Sequence, residues 1–397
     1  MRVLAISTLY PLSPQSSFGR FVELSLDAAQ ASGEVDLVRV SPNGLPPWPL
    51  SRLIGQYRER AGLPARDQRF PGTNLYRPVF RLIPRMGARN PAAIARAVLP
   101  LARTLHAEKP FDLVDAQFFY PDGPAAMRIA KALSLPFSAK ARGADIHHWS
   151  AQPGSREQVL ETGSKAAGML AVSQAMKDDM VALGFDPERI KVHYTGIDHK
   201  RFRPAHAPKA DLRAELARQG FGFAPDAPLI VSVGALIPRK GQELVINALL
   251  DCPGVHYAMI GKGGEEARYR ALAGEIGVED RVHFCGAQPH DRIADLIRAA
   301  DIAVLPSSSE GLANAWLEAL ACGTPLVASD VGGIRELLRD DSVGRIVERT
   351  PAAIASAING LLAAPPDPQK IADSVAHFSW DHNGRVLIEH WRSLIRR

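Results

Sequence analysis

Short apolar runs alternate with helix-like stretches along the chain, and this alternation restricts the possible folds more than any other feature. VLAIS (3–7) is almost entirely apolar, as expected of a strand buried on both faces of a sheet, and VDLVRV (35–40) predicts a second strand. A second series of such runs begins at LIVSVGAL (229–236). Alternation of this kind is typical of a parallel sheet covered by helices on both faces. The sequence therefore predicts an α/β protein with two doubly wound, Rossmann-like domains.

The stretch 196–228 is rich in Pro, Lys and Arg, and we predict that it connects the two domains. We assign the N-terminal domain to residues 1–205 and the C-terminal domain to residues 206–379. A chain of 397 residues is long enough for two domains of ordinary size.

Positive charge is concentrated in the N-terminal domain. Residues 1–205 contain 27 Lys+Arg and 18 Asp+Glu, whereas residues 206–397 contain 20 and 24. The segment 51–105 alone has 11 Arg, no Lys and two acids. Four of these arginines recur every fourth residue and would form a basic stripe on a helix, although prolines interrupt it: Arg77, Arg81, Arg85 and Arg89.

Two interpretations of this basic segment stay open. It is either a solvated, flexible loop or a surface that faces an anionic bilayer or an anionic lipid-linked acceptor. A nucleic acid partner is not expected, because no nucleic-acid-binding module accompanies the charge. The cysteines Cys252, Cys285 and Cys322 follow no metal or redox spacing and predict a reducing, cytoplasmic environment.

The stretch 306–333, PSSSEGLANAWLEALACGTPLVASDVGG, carries the polar residues that best indicate a ligand site. It follows an apolar strand, and we predict a helix from about Glu310 to Ala321. On such a helix Glu310 and Glu318 are separated by about 12 Å of rise and roughly 80° of rotation, so both can face one elongated ligand. Glu310 would lie in the first turn, where free N–H groups and the helix dipole favour an anion.

This arrangement resembles the signature of glycosyltransferase family 4, a family of retaining sugar transferases with the GT-B fold. The resemblance covers nearly the whole chain and is strongest from Leu229 to Leu337. It implies two Rossmann-like domains that face a central cleft. The N-terminal domain would bind the acceptor, the C-terminal domain would bind the nucleotide-sugar, and the C-terminal helix 380–397 would pack back onto the first domain.

The resemblance also implies roles for the residues of the predicted donor site. Glu310 would bind the donor sugar hydroxyls and Glu318 the ribose. The family lysine is matched by Lys240, whereas Ala235 stands where the family has arginine, so we expect Arg239 to supply that charge and help to neutralise the diphosphate. The remaining predicted donor contacts are the backbone amides of Gly311, Leu312, Ala313 and Asn314, the glycine turns at Gly234 and Gly261, and the strand around Phe284, whose backbone would meet the base.

In the N-terminal domain, Arg142-Gly143-Ala144-Asp145 stands where the family has His-Gly-x-Asp. Arg142 cannot act as a base, but it can bind a phosphate of the donor or of a lipid diphosphate acceptor. We expect Asp145 to orient the loop and His147 to lie near the acceptor. Gly19 either permits a tight turn or lets the backbone approach a ligand in the cleft.

The predicted protein is therefore a cytoplasmic hexosyltransferase-type enzyme, peripherally associated with the inner face of the plasma membrane. It would move a sugar from a nucleotide-sugar to a glycan or lipid-linked acceptor in cell-surface polysaccharide or glycolipid synthesis. We expect no cofactor and no metal, because the chain has no D-x-D triplet and the helix start with Arg239 and Lys240 can hold the diphosphate.

Two other functions stay open: a GT-B sugar-nucleotide epimerase or hydrolase acting on the same donor, and a non-catalytic sugar- or lipid-binding homologue. A nicotinamide oxidoreductase is disfavoured, because MIGKGGE (259–265) lacks the G-x-G-x-x-G spacing.

Overall fold

The computed structural model describes residues 1–16, 18–83 and 86–395 and divides the chain into two compact units. The first unit comprises Met1–Gly196 and Trp380–Arg397, and the second comprises Ile197–Ser379. Each unit is an α/β structure built on a parallel sheet, which confirms the predicted fold class.

The junction lies at 196/197 rather than at the predicted 205/206. Residues that follow Gly196 already contact the second unit: the Ile197 N–H donates to the Phe378 carbonyl at 3.1 Å, and Arg201 Nε lies 2.6 Å from Asp291 Oδ1. The Pro- and Lys-rich composition of this stretch concealed these contacts from the sequence interpretation.

The first unit contains a seven-stranded sheet with the strand order β4-β2-β1-β6-β7-β8-β9, in which all neighbours are parallel. A separate two-stranded ribbon pairs β3 with β5. The strands are β1 (Arg2–Ile6), β2 (Asp36–Val40), β3 (Asn43–Leu45), β4 (Asn74–Tyr76), β5 (Val79–Arg81), β6 (Leu113–Ala116), β7 (Phe137–Ala141), β8 (Gly168–Ala171) and β9 (Ile190–Val192). The helices are α1 (Arg20–Ala31), α2 (Leu50–Leu53), α3 (Gly55–Ala61), α4 (Asn90–Glu108), α5 (Asp122–Leu133), α6 (Ala144–His147), α7 (Arg156–Lys165) and α8 (Gln174–Ala182).

The second unit contains a six-stranded parallel sheet with the order β12-β11-β10-β13-β14-β15. Its strands are β10 (Leu229–Val233), β11 (His256–Ile260), β12 (Val282–Gly286), β13 (Ile302–Leu305), β14 (Leu326–Ser329) and β15 (Gly344–Val347). Its helices are α9 (Lys209–Arg218), α10 (Gln242–Ala248), α11 (Glu266–Glu275), α12 (His290–Ala299), α13 (Asn314–Ala321), α14 (Ile334–Leu337), α15 (Pro351–Ala363) and α16 (Pro368–Ser374).

Strand order reverses once in each sheet, and this reversal fixes where a ligand can bind. In the second unit the chain runs from β10 outward to β12 and then returns to β13 on the other side of β10. The loops after β10 and β13 therefore diverge from adjacent carboxyl ends and open a crevice between them. The same reversal occurs between β1 and β6 in the first unit.

The last helix, α17 (Trp380–Ile395), belongs to the first unit, the position that the family resemblance implied for residues 380–397. It packs on α1 and buries Leu387, Ile388, Trp391 and Leu394 in the same apolar cluster as Val22 and Leu26. Arg396 and Arg397 lie outside the described residues.

The predicted basic helical stripe does not form. Arg77 is buried, and its Nε lies 2.8 Å from Asp67 Oδ2. Arg81 ends strand β5, and Arg89 ends a short 3₁₀ turn. The fourth member of the stripe, Arg85, lies outside the described residues. Over the described ranges, we find no helix with the length and apolar character that crossing a bilayer would require.

Candidate functional site

The candidate donor site in the second unit is centred on the Glu310 carboxylate, which is paired with two cations. Glu310 Oε1 lies 2.6 Å from Lys240 Nζ and 3.0 Å from Arg239 Nη1. Glu310 follows β13 and both cations follow β10, at the reversal of strand order. A backbone hydrogen bond of 2.8 Å from the Ser308 N–H to the Arg239 carbonyl joins the two loops. The structure thus brings Glu310 to an adjacent pair of cations, of which Lys240 is 70 positions earlier in the sequence.

The two cations determine the ionisation of Glu310. Its side chain is only 11% exposed, and burial alone would raise the pKa of the carboxyl group. The Lys240 ammonium and the Arg239 guanidinium outweigh burial, so the net pKa is lowered. A carboxylate in this state is a weak base, but it can accept hydrogen bonds from hydroxyl groups.

The predicted helix from Glu310 to Ala321 is wrong over its first four residues. Helix α13 begins at Asn314, and Ala313 precedes it with extended φ and ψ angles. Glu310 is therefore not in a first turn, and the helical spacing calculated for it and Glu318 does not apply. The Gly311 carbonyl accepts a hydrogen bond of 2.8 Å from the Gly333 N–H, which draws this segment toward the turn after β14.

Backbone donors are available at the start of α13. Across the part of the chain that the structure describes, the N–H groups of Leu312, Ala313 and Asn314 donate to no protein acceptor. Unpaired N–H groups before the first helical turn favour an anionic ligand. Three of the four amides predicted to receive phosphates are thus available for hydrogen bonding.

Glu318 lies on α13 four residues after Asn314, so the two side chains share one face of the helix. Its carboxylate is half-buried and has no hydrogen-bond partner within the described residues. Burial raises the pKa of Glu318 to about 7, although the Arg201 guanidinium opposes the shift. Sequence interpretation missed Arg201, because nothing in the linker indicated that it would approach α13.

Glycines let the carboxyl ends of β10 and β11 approach each other. Gly261 has φ of 147°, and a Cβ atom there would lie 1.9 Å from the Gly234 carbonyl oxygen. A Cβ at Gly234 would in turn lie 3.4 Å from Lys240 Cε, so the lysine stem covers this backbone. On β12, the Phe284 ring packs on the core, and the Arg270 guanidinium carbon lies 3.9 Å from its centroid. The ring is thus held by the core and by Arg270, and the contact of this strand's backbone with the base stays a prediction.

In the first unit, Asp145 organises the loop that carries Arg142. The Asp145 carboxylate is fully buried and accepts hydrogen bonds from the N–H groups of Phe119, Arg142 and Gly143 at 2.7–3.0 Å. The Arg142 side chain is also held within the unit: Nε donates to the Gln117 carbonyl at 2.6 Å, and Nη2 donates to Gln117 Oε1 at 2.9 Å. Burial lowers the pKa of Arg142 to about 10.

Sequence interpretation also missed Asp122, the first residue of α5. Its side chain is buried, Oδ2 accepts a 2.8 Å hydrogen bond from the Thr8 N–H, and Oδ1 has no partner among the described residues. Burial raises the pKa of Asp122 to about 7. The available signal was its position at the start of α5, which follows the loop after β6, where strand order reverses.

The other predicted acceptor residues have local partners. Gly19 precedes α1 with φ of 71°, and a Cβ atom there would lie 2.3 Å from the Leu9 carbonyl oxygen, so the turn itself requires glycine. His147 Nε2 lies 2.8 Å from Asp179 Oδ2 of α8.

The described residues contain no group of three or more His, Cys, Asp or Glu side chains that could hold a metal ion.

Two family models match the chain over separate ranges. The model described as Glycosyltransferase Family 4 matches residues 52–201, and the model described as Glycosyl transferases group 1 matches residues 214–378. The first match falls almost entirely within the first unit and the second falls within the second unit.

Individual relatives agree with these models. TuaC of Bacillus subtilis, a candidate glycosyltransferase of teichuronic acid biosynthesis, is 29% identical over 100% of this chain and 99% of its own length. A D-inositol 3-phosphate glycosyltransferase of Acidothermus cellulolyticus is 32% identical over 53% of this chain, a match that spans only 50% of that relative's length. HepE of Anabaena, solved in complex with UDP, has the same fold, with a TM-score of 0.73 at 20% identity over 99% of this chain and 100% of that one.

Proposed function

Because the chain belongs to glycosyltransferase family 4 and has the GT-B fold, we propose that it is a retaining glycosyltransferase that uses a nucleotide-sugar donor. The sugar is a hexose, and the acceptor is a glycan or lipid-linked saccharide of a cell-surface polysaccharide or glycolipid. The full-length likeness to TuaC supports polysaccharide synthesis as the setting. The binding of UDP by the structural relative HepE supports a nucleotide-sugar as the donor.

The observation that carries this proposal is the contact of Glu310 with Lys240 and Arg239. The N–H groups at the start of α13, within four residues of Glu310, donate to no acceptor among the described residues. Two cations and several N–H groups at a sheet crevice match the charge and shape of a diphosphate. The donor diphosphate lies against these groups, and Glu310 accepts hydrogen bonds from the sugar hydroxyls. Glu318, whose carboxylate has no hydrogen-bond partner within the described residues, accepts hydrogen bonds from the ribose diol.

The same groups stabilise departure of the nucleotide. Negative charge on the diphosphate grows as the bond between the sugar's anomeric carbon and the donor phosphate breaks. Lys240 and Arg239 stabilise that charge more strongly than they stabilise the ground state. The resemblance to family 4 implies that the acceptor proton passes to an oxygen of the departing phosphate, and we assign the same step to this chain. The acceptor oxygen then attacks on the face that the leaving group occupies, and the anomeric configuration is retained.

Calorimetric titration with UDP, GDP and ADP tests the donor site. Glu318→Ala should weaken nucleotide binding by about 10- to 100-fold, because hydrogen bonds to an ionised group are lost. Lys240→Ala should mainly lower turnover, by about 100-fold. The matched controls are Glu275→Ala on α11 and Lys370→Ala on α16, which remove exposed side chains of the same types. Wild-type nucleotide affinity in Glu318→Ala would contradict the ribose role.

Product analysis separates the proposed enzyme from its alternatives. With the nucleotide-sugar that most raises the melting temperature, NMR of the product should show a new glycosidic bond with the donor's anomeric configuration. A changed sugar that remains on the nucleotide would identify an epimerase, and free sugar alone would identify a hydrolase. Tight donor binding without any conversion, with acceptors of several classes present, would identify a non-catalytic binding protein.

A further inference from the structure

Exposed apolar side chains are concentrated in one part of the first unit. Nine large apolar residues are exposed in the described part of the chain, and six of them fall between residues 48 and 83. These six are Trp48, Leu50, Leu53, Ile54, Val79 and Ile83. Trp48 is 79% exposed and Leu53 is 68% exposed. Single exposed apolar residues are ordinary, but a group confined to one segment indicates a binding surface.

The backbone brings the two parts of this group together. Strands β3 and β5 are parallel, with Leu45 opposite Arg81, and the Leu82 N–H donates to the Leu45 carbonyl at 2.8 Å. The segments that follow the two strands therefore leave the ribbon at the same end. Trp48 is in the first of these segments, and Ile83 is in the second.

The ribbon also has a buried face and an exposed face. On β5, Phe80 is buried, and its ring lies against Gly44 of β3, where an added Cβ atom would be 2.6 Å away. Successive side chains of a strand point to opposite faces, so Val79 and Arg81 project outward, and both are exposed. Val79 and Arg81 are thus held outward by a packed ribbon.

The charges around these residues are almost all positive. Arg52, Arg58 and Arg81 are exposed and form no ion pair with any described residue. The two acids between residues 48 and 83 are Glu59, which is exposed, and Asp67, which is buried. We call the six apolar residues and these three arginines the basic apolar surface.

We infer that the basic apolar surface binds an anionic phospholipid bilayer. A bilayer presents phosphates directly above an apolar layer, which matches arginines interspersed with exposed tryptophan and aliphatic side chains. Arginine can extend its guanidinium to the phosphates while its stem lies along the acyl region. This inference deepens the proposed function, because it names the surface for peripheral association that the basic stripe does not provide.

Co-sedimentation of the full chain with vesicles tests the inference. Wild-type protein should bind vesicles of mixed phosphatidylcholine and phosphatidylglycerol and bind vesicles of phosphatidylcholine alone much more weakly. Arg52→Gln/Arg58→Gln should weaken binding by about fivefold per arginine and reduce its salt dependence. Trp48→Ala/Leu53→Ala should release the protein from the same vesicles in high salt, where wild type stays partly bound.

Matched controls change the same residue types elsewhere: Arg103→Gln on α4 and Leu250→Ala in the second unit, both of which are exposed. Both controls should bind vesicles as wild type does. Wild-type binding by both double variants would overturn the inference. Self-association of the wild type that Trp48→Ala/Leu53→Ala abolishes, with vesicle binding unchanged, would also overturn it, because a second copy would then be the partner.

Nucleotide titration distinguishes this inference from the proposed function. The donor groups lie in the second unit, so both double variants should bind nucleotide with wild-type affinity and unfold at the wild-type temperature. Failure of the wild type to bind any nucleotide, with vesicle binding intact, would overturn the proposed function and leave the membrane surface standing.

Discussion

Glu318→Gln should stabilise the second unit in mildly alkaline solution and have much less effect in acid. Burial raises the pKa of the Glu318 carboxyl from 4.5 to about 7. Between these values the folded state binds more protons than the unfolded state. The free energy of unfolding therefore falls as pH rises from about 4.5 to about 7 and changes no further above that range. Gln carries no charge at any pH, so it avoids this loss.

The magnitude follows from the difference between the two pKa values. At about 1.4 kcal/mol per pKa unit, the raised pKa lowers the free energy of unfolding, relative to a side chain that is neutral in both states, by about 3 kcal/mol at about pH 8 and by about 1 kcal/mol at about pH 5. Glu318→Gln should raise the free energy of unfolding by up to these amounts. Water reaches part of the half-buried side chain, so both values are upper estimates.

Trp316 provides a local measurement of this effect. It is fully buried, lies two residues from Glu318 and is the single tryptophan between residues 197 and 379. In protein labelled with fluorotryptophan, its ¹⁹F resonance reports unfolding of the second unit during urea titration. Glu275→Gln on α11 is the matched control. If Glu318→Gln raised the free energy of unfolding equally at the two pH values, or at neither, a raised pKa for Glu318 would be refuted.

Three further substitutions test the structure. Gly261→Ala should lower the free energy of unfolding by about 1–3 kcal/mol and weaken nucleotide binding, because the added methyl clashes with a neighbouring carbonyl. The control Gly264→Ala has open space around it and should change neither quantity. Asp145→Ala should lower the free energy of unfolding, measured by urea titration, by about 3 kcal/mol or more, because several buried N–H groups lose their acceptor. Asp145→Asn keeps one acceptor oxygen and should lower it by less. Arg77→Met should lower the free energy of unfolding by about 3–5 kcal/mol in the same assay, because it leaves the Asp67 carboxylate buried with one cation fewer. The double variant Arg77→Met/Asp67→Leu should recover much of that free energy.

The sheets and the pairing of the donor-site charges were predictable because they depend on simple regularities. Strands buried on both faces must be apolar, so VLAIS and LIVSVGAL indicated their own positions. The carboxyl ends of parallel strands lie at one edge, so polar residues after two such strands meet. Arg239, Lys240 and Glu310 follow that rule.

The features that sequence reasoning missed depend on single long-range contacts. Helix α13 begins at Asn314 and not at the predicted Glu310, because the Gly311 carbonyl accepts a hydrogen bond from the Gly333 N–H. The helix propensity of the local sequence does not encode that hydrogen bond. The basic stripe failed because Arg77 pairs with Asp67, ten residues earlier, instead of continuing a helical period. Sequence reasoning did not identify the basic apolar surface, because composition alone does not show which apolar residues remain exposed after folding.

The position of α17 in the first unit has a consequence for biosynthesis. The second unit is one continuous stretch, 197–379, so it can complete its core as soon as that stretch has left the ribosome. The first unit begins earlier but cannot finish, because Leu387, Trp391 and Leu394 arrive only with the last helix. Until then the apolar side of α1 has no cover. The half of the chain made first is therefore the half that matures last, and in the interval it is the natural client for a chaperone.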